Sequence, residues 1–481
     1  MKTNLKRQQK YLEYNTSSES SGAKNTNTVT KRYFEQCQAI FNSFSDEDFY
    51  GPKAHHIFFY GKVDKDQVQK LRLSLHNAQK DVHYYDNKDS TNTALSTHII
   101  GNKTMKYKKK PVVLHIHSPG GVAEFGLTMT NFLTEIDVPL AVVVDGYACS
   151  AVTPMLVVAP YRVMHDLSFV MIHESSMTVN DTRQSNVSFS VNQYFAGIVD
   201  EYRKVYQNNT QIPQNELKDM MTSDKFLDAS VCKRWSIVDR VISLKNTAST
   251  KKRWDKFISK NPDLRPSLQA LKGDVLNHLF IYDTTAKSAN SKEERFDSIM
   301  QIVQVLQNVC VNTNASSTIK PFILHSNFQM TPKWNLYDLS TLIIRIHVLP
   351  TPVYAVIDSN IDILQALPCI MSYKRYMYSN AKLFVRLNYN HSEFQKFYYH
   401  DIKYNTELFR SMITRYLALY TKVPQDILDN LFEKRLMLTA KQCLQYGIID
   451  EIIMAPKRPS APGLKIQSGG CSCSQGLAYN L

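Results

Sequence analysis

Four segments from the first half of this 481-residue chain return, in the same order, in the second half, and that repetition limits the fold more than any other property. HHIFFYGK returns as NHLFIYDT, with His56, Phe58 and Tyr60 matched by His278, Phe280 and Tyr282. PVVLHIH returns as PFILHSN, so that Pro111, Leu114 and His115 fall on Pro321, Leu324 and His325. LAVVVDGY returns as VYAVIDSN with Asp145 on Asp358, and a constant shift then carries Arg162 onto Arg375 and Met164 onto Met377. LDASVCKRWSIVDRVI returns as LTAKQCLQYGIIDEII, placing Ala229, Cys232 and Asp239 on Ala440, Cys443 and Asp450. Ordered matches at separated places mark two units of one architecture in tandem.

In the first unit PVVLHIH, LAVVVDGY and SFVMIH are short apolar runs that read as buried strands, and GLTMTNFLTEI, SAVTPMLVVA and VNQYFAGIVDEYRKVYQ read as helices. Such alternation predicts an α/β fold, a mainly parallel sheet with helices on both faces, present as two tandem domains. The expected boundaries are a first domain at 51–245, a linker at 246–272 rich in Lys, Asn, Thr and Pro, a second domain at 273–456 and a flexible tail at 457–481. Residues 1–50 contain the weakly hydrophobic NTSSESSGAKNTNTVTK and read as a largely disordered extension with one short helical candidate, RYFEQCQAIFNSF. The polar segment at about 82–110 is longer than an α/β connection needs and reads as an exposed insertion.

Composition narrows the function classes. The net charge of +14 comes from lysines spread over both halves, with one dense run at Lys108, Lys109 and Lys110, so no nucleic-acid partner is expected. Eight cysteines, at 37, 149, 232, 310, 369, 443, 471 and 473, sit mostly in apolar segments, which suits reduced thiols in an intracellular compartment. Cys471 and Cys473 lack partner ligands nearby, and no metal is expected. No apolar run reaches about 18 residues, and MKTNLKRQQK leads into a polar stretch, so neither a membrane span nor a secretory signal is expected. The reading is a soluble intracellular protein, with cytoplasm, plastid, mitochondrion and virus-infected cell left open.

The stretch Pro111–His173 holds the parts of a serine nucleophile site at the ends of its apolar runs: a glycine pair in HSPGGVAEFG, a serine in DGYACSAV and a histidine in SFVMIH. A serine hydroxyl needs a base to take its proton and an acid to fix the base's tautomer, which suggests Ser150, His173 and, from TSDKFLDA, Asp224. A developing oxyanion needs backbone donors. Gly121 and Ala151 are the candidates, the first because glycine permits close backbone approach and the second because it opens a helix whose first N–H groups lack partners. Taken singly, SPGG is a common turn, a serine after a strand commonly caps a helix, and a histidine in an apolar run is commonly a core residue; their order and placement change the odds.

Residues 55 to 243 resemble the proteolytic subunit of the Clp protease, the ClpP family. HHIFFYGKVD resembles its opening strand, HSPGGVAEFG its oxyanion segment, Gly146-Tyr147-Ala148-Cys149-Ser150 its G-x-A-x-S nucleophile turn, FVMIH its histidine strand and SDKFLDA its acid segment. The resemblance implies the crotonase-like superfold and a serine endopeptidase with Ser150 as nucleophile, His173 as general base, Asp224 as orienting acid, and Gly121 with Ala151 as the oxyanion hole. It also implies rings around a closed chamber and unfolded polypeptide substrates received from an AAA+ unfoldase. ATP is then used by that partner, and this chain needs no cofactor of its own.

Three features depart from the family. ESSMTVNDTRQSNVSFS follows the histidine where the family has a glycine-containing hairpin, Ala151 replaces a larger apolar residue, and the insertion at 82–110 is foreign to it. The second copy has lost the chemistry: Ile363 falls opposite Ser150, Arg386 opposite His173, Arg435 opposite Asp224, and SPGG becomes NFQM. The alternatives are a catalytically silent scaffold or regulatory subunit of a mixed ring, and a viral head-maturation-type protease of the same superfold. A tandem signal-peptide-peptidase type would need a lysine base and a membrane anchor, and neither is evident.

Overall fold

The structure is a computed structural model that describes residues 23–80, 82–85, 96–100, 103–174, 185–243, 247–264, 277–282, 302–303, 305–310, 320–327, 336–385, 399–430, 432 and 436–454. Among them, the first half builds one sheet from β1 (His55–Tyr60), β5 (Val112–Ser118), β6 (Leu140–Cys149), β7 (Tyr161–His165) and β10 (Arg240–Ile242), in that spatial order. Every pairing along this path is parallel. Two short strands, β8 (Phe169–Met171) and β9 (Phe226–Leu227), extend it beyond the end of β6.

The central strands β5 and β6 are buried along their whole length, as apolar runs between two covered faces should be. Side chains alternate across the sheet. Val112, Leu114 and Ile116 with Leu140, Val142 and Val144 pack with the chain's own helices Lys65–Lys80, Ala123–Thr134 and Thr153–Val158. Val113, Ala141, Val143 and Val163 face the other way, into a core shared with Leu339, Leu342, Ile343 and Ile346 of the helix Leu336–Val348. The two halves therefore share apolar interior and are not two beads on a tether.

The second half's sheet runs β11 (Asn277–Tyr282), β12 (Phe322–Asn327), β13 (Val353–Ile357), β15 (Lys374–Tyr378) and β18 (Glu451–Ile453), again all parallel and in the order of the first. A small sheet joins β14 (Ile361–Asp362), β16 (Lys382–Phe384) and β17 (Met437–Thr439). Residues paired by the sequence repeat make like contacts. The Arg162 guanidinium donates to both Asp239 oxygens, at 3.1 and 3.0 Å, and Arg375 to both Asp450 oxygens, at 2.9 and 2.7 Å. His115 Nδ1 meets Asp145 Oδ2 at 3.0 Å, and His325 Nδ1 meets Asp358 Oδ2 at 3.1 Å.

A buried ion pair crosses between the halves. Arg345, fully buried, donates to Asp145 Oδ2 at 2.6 Å and to the Tyr60 hydroxyl at 2.5 Å. Its guanidinium lies 4.7 Å from the Tyr50 ring centre and 5.5 Å from that of Phe58. Burial alone would raise the Asp145 carboxyl, but the Arg345 charge, with His115 beside it, outweighs that and holds it well below the usual carboxylate range.

Two composition-based expectations, for residues 1–50 and 246–272, need correction. The segment 1–50 is not largely disordered throughout: the helix Ala23–Asn42 and the turn after it bury Phe34, Cys37, Phe41, Phe44, Phe49 and Tyr50 against the first sheet, with Phe41 stacked 5.5 Å from Tyr161. An amphipathic stripe outweighs polar average composition. The linker 246–272 contains the helix Thr247–Lys260, whose Trp254 Nε1 donates to the Leu349 carbonyl at 3.0 Å and whose Ile258 packs on Ile323, Tyr354 and Val356. Thr250, Trp254 and Ile258 recur every four residues, a signal hidden by the surrounding lysines. Within the insertion 82–110, the described residues form an antiparallel sheet of β2 (Val82–Tyr85), β3 (Ser96–Ile100) and β4 (Lys103–Lys109) in the order β2-β4-β3. The tail 457–481 lies outside the described residues, and among those described no helix is long and apolar enough to cross a membrane.

Candidate active site

The nucleophile candidate sits where β6 ends and a short helical segment begins. From Val138 to His165 every residue is buried except Ser150, so one hydroxyl reaches the surface from an otherwise sealed strand–turn–helix unit. Its backbone is left-handed, with φ of 56°. Among the described non-glycine residues only Ser236 shares this sign, at 53°. Ser236 follows the helix Ala229–Arg234, an ordinary place for such a residue, and its repeat partner Gly447 has φ of 62°. Ser150 has no such excuse: it lies at a helix start, on a sharp strand-to-helix elbow of the kind that lifts a nucleophile out of its surroundings.

The glycine pair backs this elbow. A Cβ on Gly120, whose φ is 86°, would stand 2.6 Å from both the Cys149 carbonyl and Ser150 Cβ and 3.0 Å from the Ala151 nitrogen. A Cβ on Gly121 would stand 2.4 Å from the Val63 carbonyl. Val63 makes both bonds of its bridge to this segment, donating to Gly120 at 2.8 Å and accepting from Val122 at 2.8 Å. In a parallel bridge so paired, the intervening Gly121 N–H points away from Val63. Gly126 is equally tight, since a Cβ there would lie 2.2 Å from the Ala151 carbonyl and 2.7 Å from the Tyr202 hydroxyl. No sequence motif marks the need for glycine at Gly126, which shows only when helix and elbow are packed together.

The base and acid candidates meet through strand register. β8 is antiparallel to β9, with Val170 opposite Leu227 and Met171 opposite Phe226. Continuing that register two residues sets His173 opposite Asp224, and His173 Nδ1 lies 2.6 Å from Asp224 Oδ1. β8 is also parallel to β6, with Cys149 opposite Met171, so Ser150 and His173 leave the ends of neighbouring strands. Both partners keep some solvent access, the side chains being 27% and 18% exposed. A carboxylate on Nδ1 fixes the tautomer with its proton there and leaves Nε2 as the basic nitrogen. Cys149, next to the serine, is a buried thiol whose pKa burial drives far upward, so it is not a competing nucleophile.

Of the positions matched in the second half, Ile363 is described and is buried at the start of the helix Ile363–Met371, behind an Asp362 capping box. Arg386, Arg435 and residues 328–330 lie outside the described residues. Another contact, that of Asp401 and Asn405 with the backbone around Asp224, has no signal in the sequence. They are some 180 residues away in the chain and match no motif.

Residues 65–245 match the family model described as Clp protease. The strand-end serine, the paired His173 and Asp224, and the glycine-backed elbow all lie inside that span, so it is residues 65–245 that are similar to the Clp protease family.

Proposed function

We propose that the chain is a Clp-type serine endopeptidase subunit that cleaves unfolded polypeptides through Ser150, His173 and Asp224. His173 Nε2 takes the Ser150 Oγ proton as Oγ bonds to the scissile carbonyl carbon. The carbonyl π electrons pass to its oxygen, and the N–H groups of Gly121 and Ala151 receive that oxyanion. On collapse the C–N bond breaks, the leaving amine takes the proton from His173, and an acyl-Ser150 remains. Water, deprotonated by His173, then releases the acid. The observation that carries the reading is the 2.6 Å His173–Asp224 contact at the strand end beside the left-handed Ser150 turn.

The second half is read as a degenerate copy, with Ile363 in the nucleophile position and a structural or docking role. The like strand order and the paired arginine–aspartate contacts support a duplication. Assembly as a ring, in which one chain fills two positions, and delivery of substrate by an ATP-driven AAA+ unfoldase are suggested by the likeness of residues 65–245 to Clp protease and belong to the same proposal. The test is labelling with a fluorophosphonate probe. Covalent labelling of the wild type that disappears in Ser150→Ala is expected, and peptide hydrolysis should fall by about 10⁴-fold or more in Ser150→Ala and in His173→Ala. An assembled, folded wild type that takes no label would refute it.

A further inference from the structure

The helix Tyr399–Tyr420 belongs to the second half, yet one of its faces is applied to the segment that carries Asp224. Asp401, Asn405 and Phe409 recur at four-residue spacing and share that face. Asp401 is fully buried, and its Oδ2 accepts the Asp224 backbone N–H at 3.1 Å. Asn405 accepts the Phe226 N–H through Oδ1 at 2.9 Å and donates from Nδ2 to the Asp224 carbonyl at 3.0 Å. Phe409 sets its ring edge-on to Phe169, with centroids 5.0 Å apart, and lies 5.7 Å from Phe226.

In a parallel ladder one residue takes the N–H of one neighbour and the C=O of the residue two places earlier. The Asn405 carboxamide makes that pair of bonds with Phe226 and Asp224, so it stands in for a strand residue along the outer edge of β9. β9 has only two residues and little ladder of its own to hold its register. With the N–H and the C=O of Asp224 both engaged, the peptide planes on either side of it are fixed. The direction of its Cα–Cβ bond, and so the reach of Oδ1 to His173 Nδ1, is fixed with them.

We propose that Asp401 and Asn405 are positioning residues for the peptidase, through which the catalytically silent half holds the acid of the active half in the register that orients His173. The inference rests on His173 and Asp224 acting as proposed above. A contact that only stabilised the fold would lower the melting temperature and leave turnover by the folded enzyme alone. A positioning contact lowers kcat, because a displacement of about 1 Å at a catalytic group costs up to about 10²-fold.

The experiment uses the full-length chain, with hydrolysis of a fluorogenic peptide amide and the rate of fluorophosphonate labelling as readouts. Asn405→Leu, close in size but without the two hydrogen bonds, is expected to lower kcat about ten- to a hundredfold with KM changed by less than about twofold, the labelling rate falling in parallel. Asp401→Ala is expected to fall likewise, and the conservative Asp401→Asn, which keeps an oxygen for the Asp224 N–H, to recover most of that loss. If Asn405→Leu does not fold, Asn405→Asp keeps the Phe226 bond and loses the donor to the Asp224 carbonyl, and its kcat must still drop. Equal labelling of wild type and Ser150→Ala refutes the peptidase reading and the clamp's role with it. A labelled wild type beside a folded, equally reactive Asn405→Leu or Asn405→Asp refutes the clamp alone.

Discussion

Replacing Arg345 with methionine removes the charge that compensates Asp145 at the junction of the halves. The guanidinium and carboxylate are both fully buried, with Nη2 2.6 Å from Oδ2. With charge centres about 4 Å apart and an effective dielectric near 20, their attraction is about 4 kcal/mol. Asp145 would keep the Tyr50 hydroxyl at 3.0 Å, the Tyr60 hydroxyl and His115, so we expect the lower end of the 3–5 kcal/mol range for breaking a buried pair, about 3 kcal/mol. The pair itself is worth less, because Arg345 Nε and Nη1 find no hydrogen-bond acceptor among the described residues. Arg345→Met/Asp145→Asn should therefore recover more than half of the single-variant loss. Urea unfolding followed by tryptophan fluorescence, run as a double-mutant cycle, measures both quantities. The sign with pH follows. With Arg345 present, Asp145 titrates below its unfolded value near 4, so its contribution is intact above about pH 4 and lost as pH falls further. Without Arg345, burial raises the carboxyl instead, and the gap between wild type and variant should narrow as pH drops from 7 toward 4. A single variant within about 1 kcal/mol of wild type, or a double variant as weak as the sum of the singles, would refute this account.

Gly120→Ala forces a Cβ into the 2.6 Å gap before Ser150 at a left-handed φ, so peptide hydrolysis should fall by about 10²-fold or more, checked by steady-state kinetics on protein verified as folded by circular dichroism. Acid should weaken the fold well before carboxylates protonate. Burial keeps His56 and His347 neutral, with pKa values lowered to about 3 and about 4, so in the unfolded chain they bind protons below about pH 6.5 that the folded protein refuses. Their contribution is whole above that value and shrinks as pH falls through it, by up to about 2 kcal/mol per histidine at pH 5. Melting temperatures that stay level from pH 7 to pH 5 would contradict it.

Much of the candidate site is legible in the sequence because its parts are local. A candidate nucleophile at a strand end, a glycine pair after another strand and a histidine after a third each announce themselves within a few residues, and DGYACSAV contains the one hydroxyl that reaches the surface between Val138 and His165. The repeat likewise pointed to the shared strand order, since matching Arg162 with Arg375 and Asp239 with Asp450 needs only an alignment. Where average composition replaced periodicity the expectation departs from the structure, as at Trp254 and Ile258, whose spacing outweighed the polar residues between them.

Sequence alone thus determined the mainly parallel α/β architecture and which side chains are candidates for chemistry, because both are written in short-range pattern. Tertiary structure decided the left-handed turn at Ser150, the register that sets His173 against Asp224, and the hold of Asp401 and Asn405 on the acid's backbone. Those depend on packing between segments as far as some 180 residues apart, and sequence periodicity carries no record of which distant face a strand edge will meet.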